Sequence, residues 1–544
     1  MRMENRTKSF SATFRLLKGH KEIADAFSLE NKLERIPVNT TTNNILADVQ
    51  VYAGQVYESD PSWLGLISEI TEKPLEFKNK GAAVVIFIPI SKRWFAVSFG
   101  MAQICLNRNA FECDFGLKVC LNKIPRDKIR TLDTASPDST TIQKRIQASA
   151  ECDFSLFSMD IEKDILRLLS GKPTDKEFAS SITGRDTLQM TCKITIPSLK
   201  EKCQELLETY QSEDYKKIYP WIDHIKQIRD DEIISILNRK LSDEIQALRD
   251  GRQNSLYLAI PEIIDPAADY AYRYNGLSYR SRKYLTLSIE DYKTELQKEL
   301  PNELSDYTKH RISIISSNFP CMDFSIFECL NFETSIDDKN YILWNSSWYE
   351  IDADFAREIE KNWQQALVAN EYLIQETPMP TEEKLIDDLE RKKTTWQKLD
   401  KRKINPSNTS YANIEPCDFF VPPKSFYHLK DGSSSACISH LWNQGLVSGE
   451  CFLKDEKFRQ DLRKILNDSL KSKVPARKDT KPVANEYKII FGIMRKPSQD
   501  GNINIPFFSK VSFRSVFQRL TELGFQVFVN PIKRCKLNHE QLIP

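Results

Sequence analysis

Short apolar runs separated by polar segments characterise the first part of the chain. Val84–Ile88 is a continuous, largely β-branched run with the length of a buried strand. Runs of similar character predict further strands at Phe14–Lys18, Val49–Tyr57, Trp94–Gly100 and Phe115–Leu121. The polar loop Thr131–Thr141 that follows them either ends this unit or precedes a helix containing Gln143–Gln147. The pattern therefore predicts a mixed α and β domain over residues 1–150.

Between residues 151 and 404 the apolar positions recur mostly at three- and four-residue spacing, which is typical of helices. This spacing is found at Asp160–Leu169, Ile196–Tyr210, Ile222–Leu248 and Ser288–Glu299. Glu382–Lys403 is expected to form a highly charged helix. The polar, proline-containing segment Asn405–Ser410 then indicates a boundary. We expect a predominantly helical middle region over residues 151–404.

Strand-like runs return after residue 404. Ile414–Phe420 and Ser425–Lys430 are two strands joined by a proline-rich connection, and the serine-rich turn Gly432–Ser435 opens the next helix. Further along, the predicted strands Tyr487–Met494 and Phe525–Val529 flank a predicted helix at Val511–Leu523. Residues 405–544 are therefore expected to be an α/β domain. The whole chain is predicted to be a multidomain protein of the α/β (mixed α+β) class.

The composition excludes several classes of protein. Lys and Arg number 77 against 76 Asp and Glu, so the net charge of +1 argues against a uniformly basic DNA-coating protein and against an acidic disordered chain. Only 16 of 544 residues are Gly, which disfavours glycine-rich nucleotide-binding loops. The longest apolar run, Gly81–Ile90, is about half of the ~20 residues that a membrane span needs. We expect a cytoplasmic protein without a membrane segment.

The cysteine spacing and the absence of common catalytic motifs argue against further classes of protein. The 12 cysteines include no CxxC pair, so we expect free thiols, with no disulfides and no structural zinc. GxGxxG, HExxH and GxSxG motifs are absent from the sequence. Dehydrogenases, zinc proteases and nucleophile-elbow hydrolases therefore lose support.

One hairpin carries candidate chemistry. Proline is confined to negative φ, so Pro422-Pro423 favours a connection of three or more residues over a two-residue type I′ turn. With Val421 opposite Ser425, Asp418 falls opposite His428, and Asp418, His428 and Lys430 share one face of the hairpin. Glu415 lies just beyond its end. Such a group can hold Mg²⁺ beside a phosphate, with the lysine stabilising developing negative charge.

This arrangement resembles the core of PD-(D/E)xK nucleases, in which an Asp on one strand is followed by (D/E)xK on the next. The resemblance implies a restriction-endonuclease-like α/β domain and a metal-dependent nuclease. Its catalytic residues would be Asp418, His428 and Lys430, and its metal ligands Glu415, Asp418 and His428. His428 replaces the second acidic residue of the motif and suits Mn²⁺ better than Mg²⁺.

Two alternatives use the same residues. His428-Leu429-Lys430 resembles the HxK motif of phospholipase D-like phosphodiesterases, whose histidine attacks phosphorus without a metal, although Ser435 stands where their motif has Asp. The second alternative is purely structural: Asp418 and His428 would form a buried polar pair, and Lys430 would extend to solvent. The sequence leaves all three interpretations open.

Basic and polar residues near the hairpin indicate a surface for nucleic acid. Lys401, Arg402 and Lys403 end a segment crowded with basic residues, and Gln444 on the following helix is expected to support the site. Ser433 and Ser434 precede that helix, where backbone N–H groups bind phosphate. Neither group needs to bind nucleic acid. The basic residues are also typical of a solvated helix face, and the serines are also typical helix caps.

The chain as a whole resembles the "sporadically distributed protein" family of bacteria, a family of unknown function. The landmarks of the resemblance are Phe14–Lys18, Phe99-Gly100, Phe115–Leu117, Thr183–Asp186, Tyr219–Asp223, Trp348–Asp352, Glu415–Asp418 and His428–Lys430. Patchy occurrence implies a role in bacterial defence against phage or mobile elements. The competing class is a non-enzymatic sensor or scaffold of a defence system, which binds nucleic acid or a protein partner. A homo-oligomer or an assembly with a defence-system partner is compatible with either class.

Overall fold

The computed structural model describes most of the chain and divides it into two compact units. One unit comprises residues 1–136, 143–223 and 263–266, and the other comprises residues 137–142, 224–262 and 267–544. The residues described are 9–28, 31–38, 48–61, 63–73, 75–136, 142–162, 164–193, 195–252, 254–261, 270–277, 281–296, 301, 303–316, 322–367, 374–407, 413–432, 435–475, 481–497 and 501–535. None of the described helices combines the length and the apolar character that crossing a membrane requires.

The first unit is built on one large sheet. Its elements are β1 (Ser9–Leu16), β2 (Glu34–Ile36), β3 (Gln50–Ser59), α1 (Leu64–Ser68), β4 (Asn79–Ile90), β5 (Arg93–Gly100), α2 (Phe115–Lys123), β6 (Ile129–Ser136), β7 (Ile142–Cys152), β8 (Ile165–Gly171), β9 (Ser181–Gly184), β10 (Leu188–Lys193) and α3 (Ile196–Gln211). The strands are ordered β2-β3-β4-β5-β1-β10-β9-β8-β6-β7 in the sheet. Their apolar side chains form a core with α2 and α3 on one face.

The strand predicted at Phe115–Leu121 is wrong, because this segment forms helix α2. Phe115, Val119 and Cys120 recur at helical spacing and are buried in the core of the sheet. A short apolar run is compatible with either type of element, and packing against the sheet selects the helix. Gly116 permits the close approach, since a Cβ there would lie 2.0 Å from the carbonyl oxygen of Thr187.

Two segments that the sequence places in helices are strands in the structure, which corrects the prediction. Gln143–Gln147 lies within β7, and the second half of Asp160–Leu169 lies within β8. On β7 the guanidinium of Arg145 donates to both carboxylate oxygens of the buried Asp133, at 2.8 and 2.7 Å. These pairings across strands are contacts that local spacing does not encode.

The described part of the second unit contains three sheets and most of the described helices. Its elements are β11 (Ile225–Gln227), α4 (Asp231–Arg249), β12 (Tyr257–Leu258), β13 (Tyr270–Asn275), α5 (Ile289–Glu295), α6 (Leu304–Lys309), β14 (Arg311–Ser316), β15 (Met322–Ser325), α7 (Ile326–Cys329), β16 (Leu330–Ile336), β17 (Lys339–Trp344), β18 (Ser347–Ile351), α8 (Ala353–Ala366), β19 (Glu376–Thr377), α9 (Glu382–Lys392), β20 (Gln397–Lys398), β21 (Phe419–Val421), β22 (Ser425–Asp431), α10 (Ser435–Lys454), α11 (Glu456–Ile465), α12 (Asp468–Lys471), β23 (Lys488–Arg495), α13 (Phe507–Glu522) and β24 (Gln526–Arg534).

Two of these sheets are antiparallel and the third is mixed. The antiparallel sheets have the strand orders β11-β18-β17-β16-β12 and β13-β14-β15. The third has the order β19-β24-β23-β22-β21-β20, in which β19, β24, β23 and β22 are parallel and β21 and β20 are antiparallel to their neighbours. The mixed α and β class predicted from the sequence is confirmed by both units.

The mixed sheet is covered by helices on both faces. Residues of α10, α11 and α13 pack with Phe426, Phe491 and Val529 on one face, and Leu385, Ile386 and Leu389 of α9 pack on the other. This double coverage explains why β22 and β23 are buried at almost consecutive positions rather than at alternating ones. The candidate catalytic residues lie on β22 and directly before β21 of this sheet.

Candidate functional site

The hairpin formed by β21 and β22 has the register that the sequence predicts. Val421 pairs with Ser425 and Phe419 pairs with Tyr427, and three residues connect the two strands. This register brings Asp418, just before β21, level with His428 in the middle of β22. The backbone N–H of Leu429 donates to Oδ2 of Asp418 at 2.6 Å. The Asp418 carboxylate is thus fixed beside β22 of the mixed sheet.

Three carboxylates meet at the start of β21. Oxygen atoms of Asp400, Glu415 and Asp418 all lie within 4.8 Å of one another. The backbone N–H groups of Leu399 and Asp400 donate to the carbonyl oxygen of Asp418, at 2.7 and 3.1 Å, and hold the chain after β20 beside β21. The N–H of Lys401 donates to Oε1 of Glu415 at 2.6 Å. Backbone hydrogen bonds therefore assemble the group from two segments, one that follows β20 and one that precedes β21.

Burial and the neighbouring negative charges make ionisation of Asp418 and Glu415 unfavourable. Burial raises the pKa of Asp418 to about 8, and the negative charges of Glu415, Glu382 and Asp400 act in the same direction. Burial also raises the pKa of Glu415, against the hydrogen bond from Lys401 and the charge of Lys430. A bound proton or a cation relieves both effects. Only Glu415 and Asp418 of this group were predicted from the sequence.

Lys430 is held next to the carboxylates by a residue of α9. Its Nζ lies 2.8 Å from Oε1 of Glu382, and the N–H of Asp431 donates to Oε2 of the same carboxylate at 3.0 Å. Glu382 is the first residue of α9, and Thr381 caps the helix by accepting from the N–H of Lys384. The helix start therefore supplies a fourth carboxylate, one that is bonded to the predicted catalytic lysine.

His428 occupies the apolar layer instead of the carboxylate group. The residue is only 2% exposed, and its ring stacks on Phe491 with the centroids 6.0 Å apart. Burial lowers the pKa of His428 to about 3. Its Nε2 is buried and has no hydrogen-bond partner in the described part of the chain. The structure does not bring this predicted metal ligand into the group of Asp400, Glu415 and Asp418.

The residues predicted to bind nucleic acid differ in their position relative to the three carboxylates. Lys401, Arg402 and Lys403 are exposed and follow Asp400 directly, so they border the carboxylates. Gln444 is half-buried within α10, and the described residues show no hydrogen bond from it to Asp400, Glu415 or Asp418. Ser433 and Ser434 lie outside the described residues.

Asp400 and Glu382 are the members of the site that sequence reasoning missed. Asp400 is 18 residues before Asp418, and Glu382 is 48 residues before Lys430. Neither belongs to a spaced motif with the hairpin. The nearest local signal is that Asp400 directly precedes the basic triplet, and Glu382 opens the charged helix.

The chain belongs to a family of unknown function, DUF6119. The family model matches residues 12–533, which is nearly the whole chain and includes every residue of the candidate site. No curated protein and no solved structure matches the chain.

Proposed function

We propose that this member of the DUF6119 family is a metal-dependent phosphodiesterase that cleaves DNA or RNA. The observation that carries the proposal is the convergence of Asp400, Glu415 and Asp418, with oxygen atoms within 4.8 Å of one another. Lys430 lies near this group, and its amine is bound to Glu382. A carboxylate group with an adjacent lysine is the arrangement that the PD-(D/E)xK resemblance implies, although the acidic residues come from other positions.

The donor set fits a hard divalent cation. All three side chains offer carboxylate oxygens, which are the protein ligands that suit Mg²⁺ and Mn²⁺. A cation would also offset the repulsion that raises the pKa of Asp418 and Glu415. Imidazole coordination, which would have favoured Mn²⁺, loses support because His428 is buried against Phe491. Asp400, Glu415 and Asp418 are therefore the proposed ligands of Mg²⁺ or Mn²⁺.

Each residue has a distinct proposed role. The cation, when bound, supplies Lewis-acid polarisation of a phosphate oxygen and activation of water. Lys430 places a positive charge beside the carboxylates, where it stabilises charge that develops on the phosphate. Glu382 holds the Lys430 amine through the 2.8 Å contact. The exposed triplet Lys401–Lys403 attracts the sugar-phosphate backbone.

The position of His428 favours this chemistry over a phospholipase D-like mechanism. A nucleophilic histidine must reach the phosphorus atom of the substrate. His428 is 2% exposed, and its ring packs on Phe491 in the apolar layer.

A non-enzymatic sensor or scaffold is the second candidate. The ion pair between Lys430 and Glu382 favours it, because both charges are satisfied without a substrate. A role in defence against phage or mobile elements is compatible with either candidate. That role rests on the resemblance to the sporadically distributed family and on the phosphodiester chemistry proposed for the site.

Cleavage of labelled duplex DNA and single-stranded RNA tests the proposal. We expect cutting with Mg²⁺ or Mn²⁺, none with EDTA, and a loss of at least about 100-fold in Asp418→Asn and Lys430→Ala. Asp468→Asn is the matched control, since Asp468 is 97% exposed on α12. It should cut like the wild type.

Two outcomes would contradict the proposal. Cutting that survives EDTA and requires His428 would favour the metal-independent chemistry. Nucleic acid that binds but is not cut under any of these conditions would favour the sensor.

A further inference from the structure

Helix α9 carries an acidic stripe on the side opposite its buried face. Glu383, Asp387 and Glu390 are spaced by four and three residues, so they lie along one side of the helix. Leu385, Ile386 and Leu389 pack against the mixed sheet on its other side. The stripe is therefore held in a fixed orientation by the packing of the helix.

The stripe contacts lysines next to the carboxylate group. Nζ of Lys401 lies 2.7 Å from Oε1 of Glu383. Nζ of Lys398 lies 2.9 Å from Oδ1 of Asp387 and 3.0 Å from Oε2 of Glu390. These two amines flank Asp400 in the sequence, on the segment that also carries Arg402 and Lys403. Part of the basic surface predicted from the sequence is thus neutralised by the protein itself.

We infer that α9 is a built-in competitor of the nucleic-acid backbone, whose carboxylates occupy amines that bind phosphates when a strand enters the site. The inference rests on the proposed function for its choice of ligand. A lysine amine makes the same charge-assisted hydrogen bond to a phosphate oxygen as to a carboxylate oxygen. Helix α9 therefore regulates how readily the site accepts a strand.

The exchange is energetically accessible. The stripe is exposed, with 57% of the Asp387 side chain and 54% of the Glu390 side chain in solvent, and exposed ion pairs are weak. Binding of a polyanion is also favoured by the release of its condensed counterions. The carboxylates of α9 have no such contribution. A strand can therefore displace the stripe without unfolding α9.

The double variant Asp387→Asn/Glu390→Gln tests the inference, because it keeps the size of both side chains and removes only their charges. Binding of fluorescent single-stranded RNA and of duplex DNA is measured in EDTA across a salt series. We expect the affinity to rise about three- to tenfold. The slope of log K against log salt should steepen by about one phosphate contact. The two probes distinguish RNA from DNA as the preferred source of phosphate.

Two further variants separate a local effect from a general one. Glu456→Gln/Asp461→Asn makes the same change of charge on α11. An equal rise in affinity in this control would overturn the inference, because net charge alone would then explain the effect. Adding Lys398→Ala to the α9 variant should abolish the gain, and a gain that persists without Lys398 also contradicts the inference.

The outcomes also separate this inference from the proposed catalysis. Metal-dependent cutting with no change of affinity in the α9 variant overturns the role of α9 and leaves the nuclease standing. Tighter binding by the variant, with no cutting in Mg²⁺ or Mn²⁺, overturns the nuclease and supports the competitor. Binding of neither probe by either protein overturns both.

Discussion

At the scale of single residues, the site is defined by side chains whose surroundings oppose their charge. Asp418 is buried beside three other carboxylates, and its pKa is raised to about 8. His428 is buried against an aromatic ring, and its pKa is lowered to about 3. The two residues face each other in the predicted hairpin, but they differ in environment. The carboxylate joins a polar group that a cation stabilises, whereas the neutral histidine packs among apolar side chains.

Burial of His428 predicts a pH-dependent stability. An unfolded histidine takes up a proton near pH 6.5, whereas the folded one stays neutral down to about pH 3. Between these values only the unfolded state gains the proton, so the free energy of unfolding falls as the pH falls. Relative to His428→Leu, the wild type should lose about 2 kcal/mol between pH 7 and pH 5. Urea unfolding at both pH values measures this difference.

The control for this prediction is His440→Leu, since His440 is exposed on α10. This variant should follow the pH dependence of the wild type. A stability gap between wild type and His428→Leu that stays constant from pH 7 to pH 5 would contradict the prediction, because it would show that His428 takes up a proton in the folded state as readily as in the unfolded state.

At the scale of elements, the site depends on close packing beneath the hairpin. Helix α10 crosses the mixed sheet at Gly445, where a Cβ would lie 2.3 Å from a ring carbon of Phe491. Phe491 in turn stacks on His428 in the neighbouring strand β22. The glycine therefore sets how closely α10 approaches the strand that carries Lys430.

Two glycine substitutions in helices should have opposite effects. Gly445→Ala is expected to lower the free energy of unfolding by about 1–3 kcal/mol, because the added methyl group overpacks the contact with Phe491. Gly65→Ala in α1 has open space around its Cβ. It should be neutral or stabilising by up to about 1 kcal/mol, through helix propensity alone. Thermal unfolding of both variants checks the prediction, and an unchanged Gly445→Ala would contradict it.

At the scale of the whole molecule, every residue of the candidate site belongs to the second unit. The first unit has its own sheet and its own core. A ligand of the site is therefore expected to stabilise the second unit directly. This separation makes stability a readout of metal binding that does not depend on catalysis.

Divalent cations should raise the melting temperature of the protein. At 100 times the Kd, a cation that binds only the folded state adds about 2.7 kcal/mol. Because burial raises the pKa of Asp418 to about 8, folding requires this carboxylate to take up a proton or to carry an unfavourable charge. Asn requires neither, so we expect Asp418→Asn to stabilise the metal-free protein and to weaken the response to Mg²⁺ and Mn²⁺. Differential scanning calorimetry with EDTA, Mg²⁺ or Mn²⁺ measures both effects. An equal rise in wild type and Asp418→Asn would contradict binding at this group.

The hairpin could be predicted from sequence because its determinants are local. Pro422-Pro423 selects the length of the connection, and strand alternation then fixes Asp418 relative to His428. Glu415 was found for the same reason, being three residues before Asp418. Asp400 and Glu382 could not be found, since they reach the site through backbone hydrogen bonds and packing with segments distant in the sequence.

The sequence by itself determined the mixed α and β class and the register of the β21–β22 hairpin, because hydrophobic periodicity and proline geometry act over a few residues. Tertiary structure alone decided that Phe115–Lys123 is a helix, since a short apolar run becomes a helix or a strand according to the surface that it packs on. It also decided that His428 faces the core while Asp400 and Glu382 join the carboxylates. These placements follow from contacts between distant segments, whose energies outweigh the local preferences of each.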